Sequence, residues 1–147
     1  MKRALRVITA ATLVAVFGSA AFADESRPYT EGNVVNVSYI KIKPGMFDAY
    51  MNYLATTYKQ QLDEQKKAGI VVDYAIYQAD ARTPDDADLI LTTVYKNWAA
   101  LDGLADRVEP IQNKAFGSQD KSNAAAIDRE SMRTLLGSDM IQQLVLK

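Results

Sequence analysis

The sequence predicts an α+β domain, a four-stranded antiparallel sheet with helices on one face and elements in the order β-α-β-β-α-β, the second helical region broken. Three observations lead to it. Four segments dense in β-branched and aromatic residues, at 34–42, 70–77, 89–95 and 140–146, read as strands. Between the first two, Met46 to Lys67 carries apolar residues at steps of three and four, the period of an amphipathic helix. A second helix-forming stretch precedes the last strand and is interrupted at Pro110 and at Gly117-Ser118.

Asp24 to Asn33 is polar, contains Pro28 and Gly32, and reads as a flexible leader. The first strand runs from Val34 to Ile42, where Pro44-Gly45 stops it. Period-two alternation places Ile40 and Ile42 in the core beneath the first helix and Val37, Tyr39 and Lys41 on the other face. The helix presents Phe47, Tyr50, Met51, Leu54, Tyr58 and Leu62 inward and Asp48, Asn52, Lys59, Asp63 and Lys66 outward. Ala68-Gly69 closes it, with Lys66 and Lys67 well placed against the helix dipole. Ile70 to Tyr77 is the second strand and Leu89 to Tyr95 the third, antiparallel across the loop Ala79 to Ala87. Asn97 caps a short helix from Trp98 to about Leu104. Pro110 breaks or restarts helical structure. Ser122 caps a helix to about Leu136, closed by Gly137, and Met140 to Leu146 is the last strand.

The N-terminus has the three regions of a cleavable signal peptide: a basic head (Lys2, Arg3, Arg6), an apolar run from Val7 to Phe17, and small residues in Ala21-Phe22-Ala23. Cleavage is expected after Ala23, with Ala21 the alternative. A membrane span needs about 20 apolar residues, and this segment reaches that length only by including the Gly18-Ser19 break. Export to the periplasm or medium is therefore expected, with no span left after cleavage. Three of the 17 basic residues lie in this segment, so residues 24–147 keep 14 against 18 acidic ones. That length makes one domain, and its acidic balance argues against nucleic acid.

The chain has neither histidine nor cysteine. Zinc loses its usual ligands, and Ser-His-Asp and Cys-His nucleophile systems cannot be built. A lipid anchor on a cysteine is impossible, as is a proximal histidine to haem. No P-loop or GxGxxG occurs. Asp80, Asp85, Asp86 and Asp88 lack the spacing, glycine and terminal glutamate of a calcium loop, and read as a solvated loop. No metal or cofactor is expected.

The candidate pocket residues are Tyr39, Asp73, Tyr77, Tyr95 and Trp98. Alternation sets Asp73 with Tyr77, and Thr93 with Tyr95, on the open face beside Tyr39, and Trp98 closes one mouth. Buried, Asp73 would have a raised pKa and serve as a base; exposed, it would pair with a lysine or arginine. The tyrosines equally suit a core or an interface. An aromatic face of this kind requires a cover, and the same face of a second copy supplies one.

The chain resembles the dimeric α/β barrels, a ferredoxin-like superfamily that includes antibiotic-biosynthesis-monooxygenase-like domains. The resemblance rests on Ile40-Lys41-Ile42-Lys43-Pro44-Gly45-Met46-Phe47, a strand entering Pro-Gly and then a helix. It continues in Val94-Tyr95-Lys96-Asn97-Trp98-Ala99-Ala100-Leu101, a strand feeding a short capped helix, and spans about Asn33 to Leu146. It implies a homodimer. Many relatives carry a histidine near the position of Gly103, so no catalytic residue is carried over. The expected function is an exported homodimer binding a small apolar or aromatic ligand. Alternatives are a cofactor-independent monooxygenase-like enzyme on an aromatic or quinone-like substrate, as the resemblance implies, and a structural protein of the cell envelope.

Overall fold

A continuous extended segment of 14 residues, β1 (Tyr29–Ile42), forms a central strand of the protein in a computed structural model that describes residues 27–147. The expected signal peptide and its cleavage at Ala23 lie outside the described residues. β1 pairs antiparallel with β3 (Leu89–Tyr95) on one side and β4 (Arg133–Leu146) on the other, and β2 (Asp73–Gln78) borders β3. The sheet order is β2-β3-β1-β4.

The strand starts five residues before its expected beginning at Val34. Residues 29–33, read as part of a leader, are extended because Tyr29, Thr30 and Glu31 pair with Leu146, Val145 and Leu144. A bulge between Glu31 and Val34 accommodates the turn-prone Gly32-Asn33. A Cβ at Gly32 would crowd Gln143, at 2.9 Å from its side-chain oxygen and 3.2 Å from its backbone oxygen. β3 pairs only with residues 34–40 of β1, so the ribbon of 29–31 with 144–146 extends past the rest of the sheet.

After β1 the chain turns at Pro44-Gly45. Gly45 has φ +77°, which a side chain would disfavour, and Met46 N donates to Lys43 O at 3.0 Å. The expected helix is present as α1 (Phe47–Tyr53), a π-helical turn (Leu54–Tyr58) and α2 (Lys59–Lys67). Its stripe meets the sheet: Tyr50 and Leu54 pack with Ile40, Leu89 and Leu91 in one buried cluster.

The end of α2 explains a shorter second strand. Gly69 N donates to Lys66 O and Ile70 N to Gln65 O, a Schellman closure. Those groups are then unavailable to a ladder, so Ile70 and Val71 fill a second cluster with Leu62 and Tyr95 instead of joining β2. Asn97 caps a 3₁₀ turn (Trp98–Leu101), its side chain accepting from Ala100 N.

Three expectations about the second helical region are corrected. Pro110 lies inside α3 (Leu104–Phe116) and does not break it. The hydrogen bond it forfeits would go to Asp106, an exposed residue whose carbonyl water can satisfy. α4 (Gln119–Met132) is capped by Ser118, which accepts from Lys121 N, and not by Ser122. The residues 133–137, expected at the end of that helix, are strand: Arg133, Thr134 and Leu135 pair with Ile42, Lys41 and Ile40. Pairing along β1 overrides their weak local preference.

The acidic loop is exposed from Asp80 to Asp85, as expected, and is anchored at its end by Asp86 and Asp88. Asp86 accepts from Arg82 N and Thr83 N, each at 2.9 Å. Asp88 accepts from Lys41 Nζ at 2.9 Å and Ile42 N at 2.7 Å, joining the β2–β3 connection to the end of β1. Partial burial alone would raise the Asp88 pKa; the Lys41 ammonium and the Ile42 N–H outweigh it and hold the carboxyl below its usual range. A lowered folded pKa gives stability that is present above the unfolded value, about 4, and lost as pH falls through the folded one. Asp88→Ala should therefore cost about 1–2 kcal/mol at pH 7. Urea unfolding of both proteins should show the gap closing below pH 4; a gap unchanged in acid would contradict the assignment.

Candidate functional site

Directly opposed residues share a sheet face, so the register fixes what lies under the helices. Ile40 opposes Leu89, Ser38 opposes Leu91, Asn36 opposes Thr93, and Val34 opposes Tyr95. Ile40, Leu89 and Leu91 touch the helices, so Asn36, Ser38, Thr93 and Tyr95 face them too. The helix side of the sheet thus has polar groups beside an apolar core.

Two chambers open at this polar strip. The larger, about 580 Å³, lies between β3 and the helices, with Leu62, Tyr95, Leu104 and Val108 against Tyr58, Gln61, Gln65, Thr93, Gln112 and Arg129. The smaller, about 230 Å³, lies over β1 and is lined by Asn36, Ser38, Tyr50, Tyr53, Arg129 and Arg133, with Leu91 beside them. Tyr58, Thr93 and Arg129 belong to both. The π-helical turn ends at Tyr58, and such turns often re-aim side chains at functional sites.

Hydrogen bonds and ring contacts hold the walls. Tyr50 and Tyr53 stack with centroids 5.9 Å apart, and the Arg133 guanidinium lies 5.9 Å from the Tyr50 centroid. Arg129 Nη1 donates to the Tyr53 hydroxyl at 3.3 Å, and Arg133 Nη2 donates to Glu130 Oε1 at 3.0 Å. Tyr58 packs edge-on against Tyr74, whose hydroxyl donates to Asp63 at 2.7 Å. Burial pushes the hydroxyls of Tyr50, Tyr58 and Tyr95 above the ordinary phenol range, with Arg133 opposing at Tyr50 and Thr93 at Tyr58. All three stay protonated at neutral pH. Among the described residues no acidic side chain lines either chamber.

The sequence-derived candidates do not converge here. Tyr39, Asp73 and Tyr77 lie on the opposite sheet face, as alternation predicted: Tyr39 opposes Ile90, Tyr77 opposes Ile90 from β2, and Asp73 opposes Val94. Thr93 and Tyr95 were expected beside them and instead face the helices. Their parity follows from Leu89 and Leu91, which the core claims. Asp73 is exposed and pairs with Lys66 at 2.8 Å, and that ammonium lowers its pKa. Trp98 is half exposed past the end of β3, its Nε1 donating to Gln142 Oε1 at 2.9 Å.

Reasoning from sequence missed Arg129, Arg133, Tyr53 and the polar pair of β1. The pair had a signal: once Ile40 points inward, period two sends Ser38 and Asn36 inward as well. The arginines had none, since Arg133 was assigned to a helix that ends at Met132.

No protein-family model matches the chain, and no curated protein sequence does. Solved structures match in shape. HapK from Hahella chejuensis is 12% identical, with 75% of this chain and 91% of that one covered at a TM-score of 0.51. A dimeric ferredoxin-like protein from an uncultured marine organism is 10% identical, with 80% and 98% covered at a TM-score of 0.50. Strand order, antiparallel pairing and helices on one face give this chain the ferredoxin-like α+β fold, which it shares with these structures.

Proposed function

We propose that the protein is an exported homodimer that binds a small organic molecule between its helices and its sheet. The observation that carries this is the larger chamber. Its volume of about 580 Å³ falls among small-molecule sites, and its mostly apolar wall with a few convergent polar groups is their usual character. Binding is favoured over proton abstraction because the phenols at hand are held protonated and no carboxylate lines either chamber. Native mass spectrometry of protein purified from its own source should find one small molecule per protomer. Val108→Trp should fill the chamber and remove that mass while the circular dichroism spectrum is kept. Wild-type protein free of any bound mass would refute the reading.

The dimer is supported by the other face. Tyr77 is 55% and Ile141 53% exposed there, next to Tyr39, Ile90 and Val94 on the same side. The β1–β4 ribbon adds exposed Leu144, Val145 and Leu146 beyond the sheet. A patch of this kind suits a self-complementary interface, and a structurally similar protein is described as dimeric. Sedimentation equilibrium should give a dimer at micromolar concentration. Ile141→Glu, which would bury a charge at the interface, should weaken it about a hundredfold or more without unfolding the chain. A wild-type protein that sediments as folded monomer would exclude the dimer.

Export is supported by the basic head, apolar run and Ala21-Phe22-Ala23. Among the described residues no helix is long and apolar enough to cross a membrane. Edman sequencing of the periplasmic or secreted protein should begin at Asp24, or at Phe22 if cleavage follows Ala21. An intact Met1 there would overturn it.

A further inference from the structure

Arg129 and Arg133 both line the smaller chamber, and among the described residues no acidic side chain does. Their nearest recorded carboxylate, Glu130, is half exposed and shared. Its Oε1 accepts from Arg133 Nη2 at 3.0 Å and lies 3.7 Å from Arg129 Nε. One negative charge thus faces two positive ones. The Nε–H of each arginine is buried without a hydrogen-bond acceptor, and Arg133 as a whole is only 9% exposed. Buried donors of a charged group rarely go unsatisfied, because the lost hydration has no replacement. The remaining wall offers hydroxyls and an amide and no compensating charge: Tyr50, Tyr53, Tyr58, Asn36, Ser38 and Thr93.

A monoanion supplies what is missing. A carboxylate carries one negative charge, accepts from two N–H groups at once, and matches the geometry of guanidinium better than that of any other side chain. At about 230 Å³ the chamber suits a head group more than a whole ligand. Across Tyr58, Thr93 and Arg129 it adjoins the larger chamber, where Leu62, Leu104 and Val108 offer apolar surface. Resting on the binding reading above, we propose that the ligand is an aromatic or otherwise apolar organic monoacid. Its carboxylate lies between Arg129 and Arg133 in the smaller chamber and its body in the larger one.

The test uses the mature protein with 2-naphthoate and its neutral isostere 2-naphthamide, read by isothermal titration calorimetry. Naphthoate should bind at least about tenfold more tightly than the amide, as expected for a charge-assisted pair of hydrogen bonds. Arg133→Gln should remove that preference, weakening naphthoate at least about tenfold more than it weakens the amide. Should the glutamine variant fold poorly by circular dichroism, Arg129→Gln, at a less buried position, is scored the same way. An acidic molecule in the native mass spectrum supports the proposal as well. Equal affinity for acid and amide, or a co-purified ligand without an acidic group, overturns the carboxylate assignment and leaves the binding reading standing. A protein that takes neither probe and carries no ligand overturns both.

Discussion

Ile40 is fully buried against Tyr50, Leu54, Leu89 and Leu91, and this contact sets the phase of β1. A strand has only two faces, so fixing one residue fixes all of them until a bulge intervenes. Ile40 inward means Ser38 and Asn36 inward, beneath the helices, and Tyr39 and Val37 outward. The same phase passes through the register to Leu91, Thr93 and Tyr95 on β3 and to Arg133 on β4. The candidate chambers and the opposite apolar face are therefore two consequences of one packing choice. Shifting β1 by a single residue would put Tyr39 in the core and expose Ile40.

The sheet gains its polar interior at a cost that the neighbouring core offsets. Burial of Ile40, Leu54, Leu89 and Leu91 favours folding by roughly 1.5–3 kcal/mol each, while Asn36, Ser38 and Thr93 occupy helix-facing positions that aliphatic residues would fill more stably. Ser38 donates to Asn36 Oδ1 at 3.1 Å or shares a hydrogen bond with Ser138 at 3.0 Å, so part of this strip is satisfied internally. The arginines are not satisfied in the same degree. A core that retains polar groups and space where aliphatic packing was available fits a site shaped for a ligand more readily than one shaped for stability alone.

The two long strands give β4 a double role. Near its start it carries Arg133 into the smaller chamber, and its far end runs with Tyr29–Glu31 past the other strands. The bulge between Glu31 and Val34 of β1, and the one at Leu136 of β4 that leaves β1 continuous through Tyr39 and Ile40, separate these stretches. In a dimer formed through the open face, the far ribbon would extend the interface while the near end stayed with the smaller chamber of its own protomer.

Local rules determined much of this protein. The β-α-β-β-α-β order, the extent of β3, the Pro44-Gly45 turn, the stripe of Tyr50, Leu54, Tyr58 and Leu62 and the Asn97 cap all follow from period, turn chemistry and capping over a few residues. The faces of β1 and β2 followed too, because alternation needs one anchored residue. What only the tertiary structure decided involves partners distant in sequence. Residues 29–31 became strand because they pair with 144–146 at the end of β4, and residues 133–137 because they pair with 39–42 of β1, a choice that local propensity cannot see. Tyr95 turned inward because Leu89 and Leu91 claimed the core, which reversed the expected face of β3. The chambers gather Asn36, Tyr58, Thr93, Arg129 and Arg133 from five separate elements. No spacing in a linear chain records that convergence, because it is created by the register of β1 with strands drawn from opposite ends of the domain.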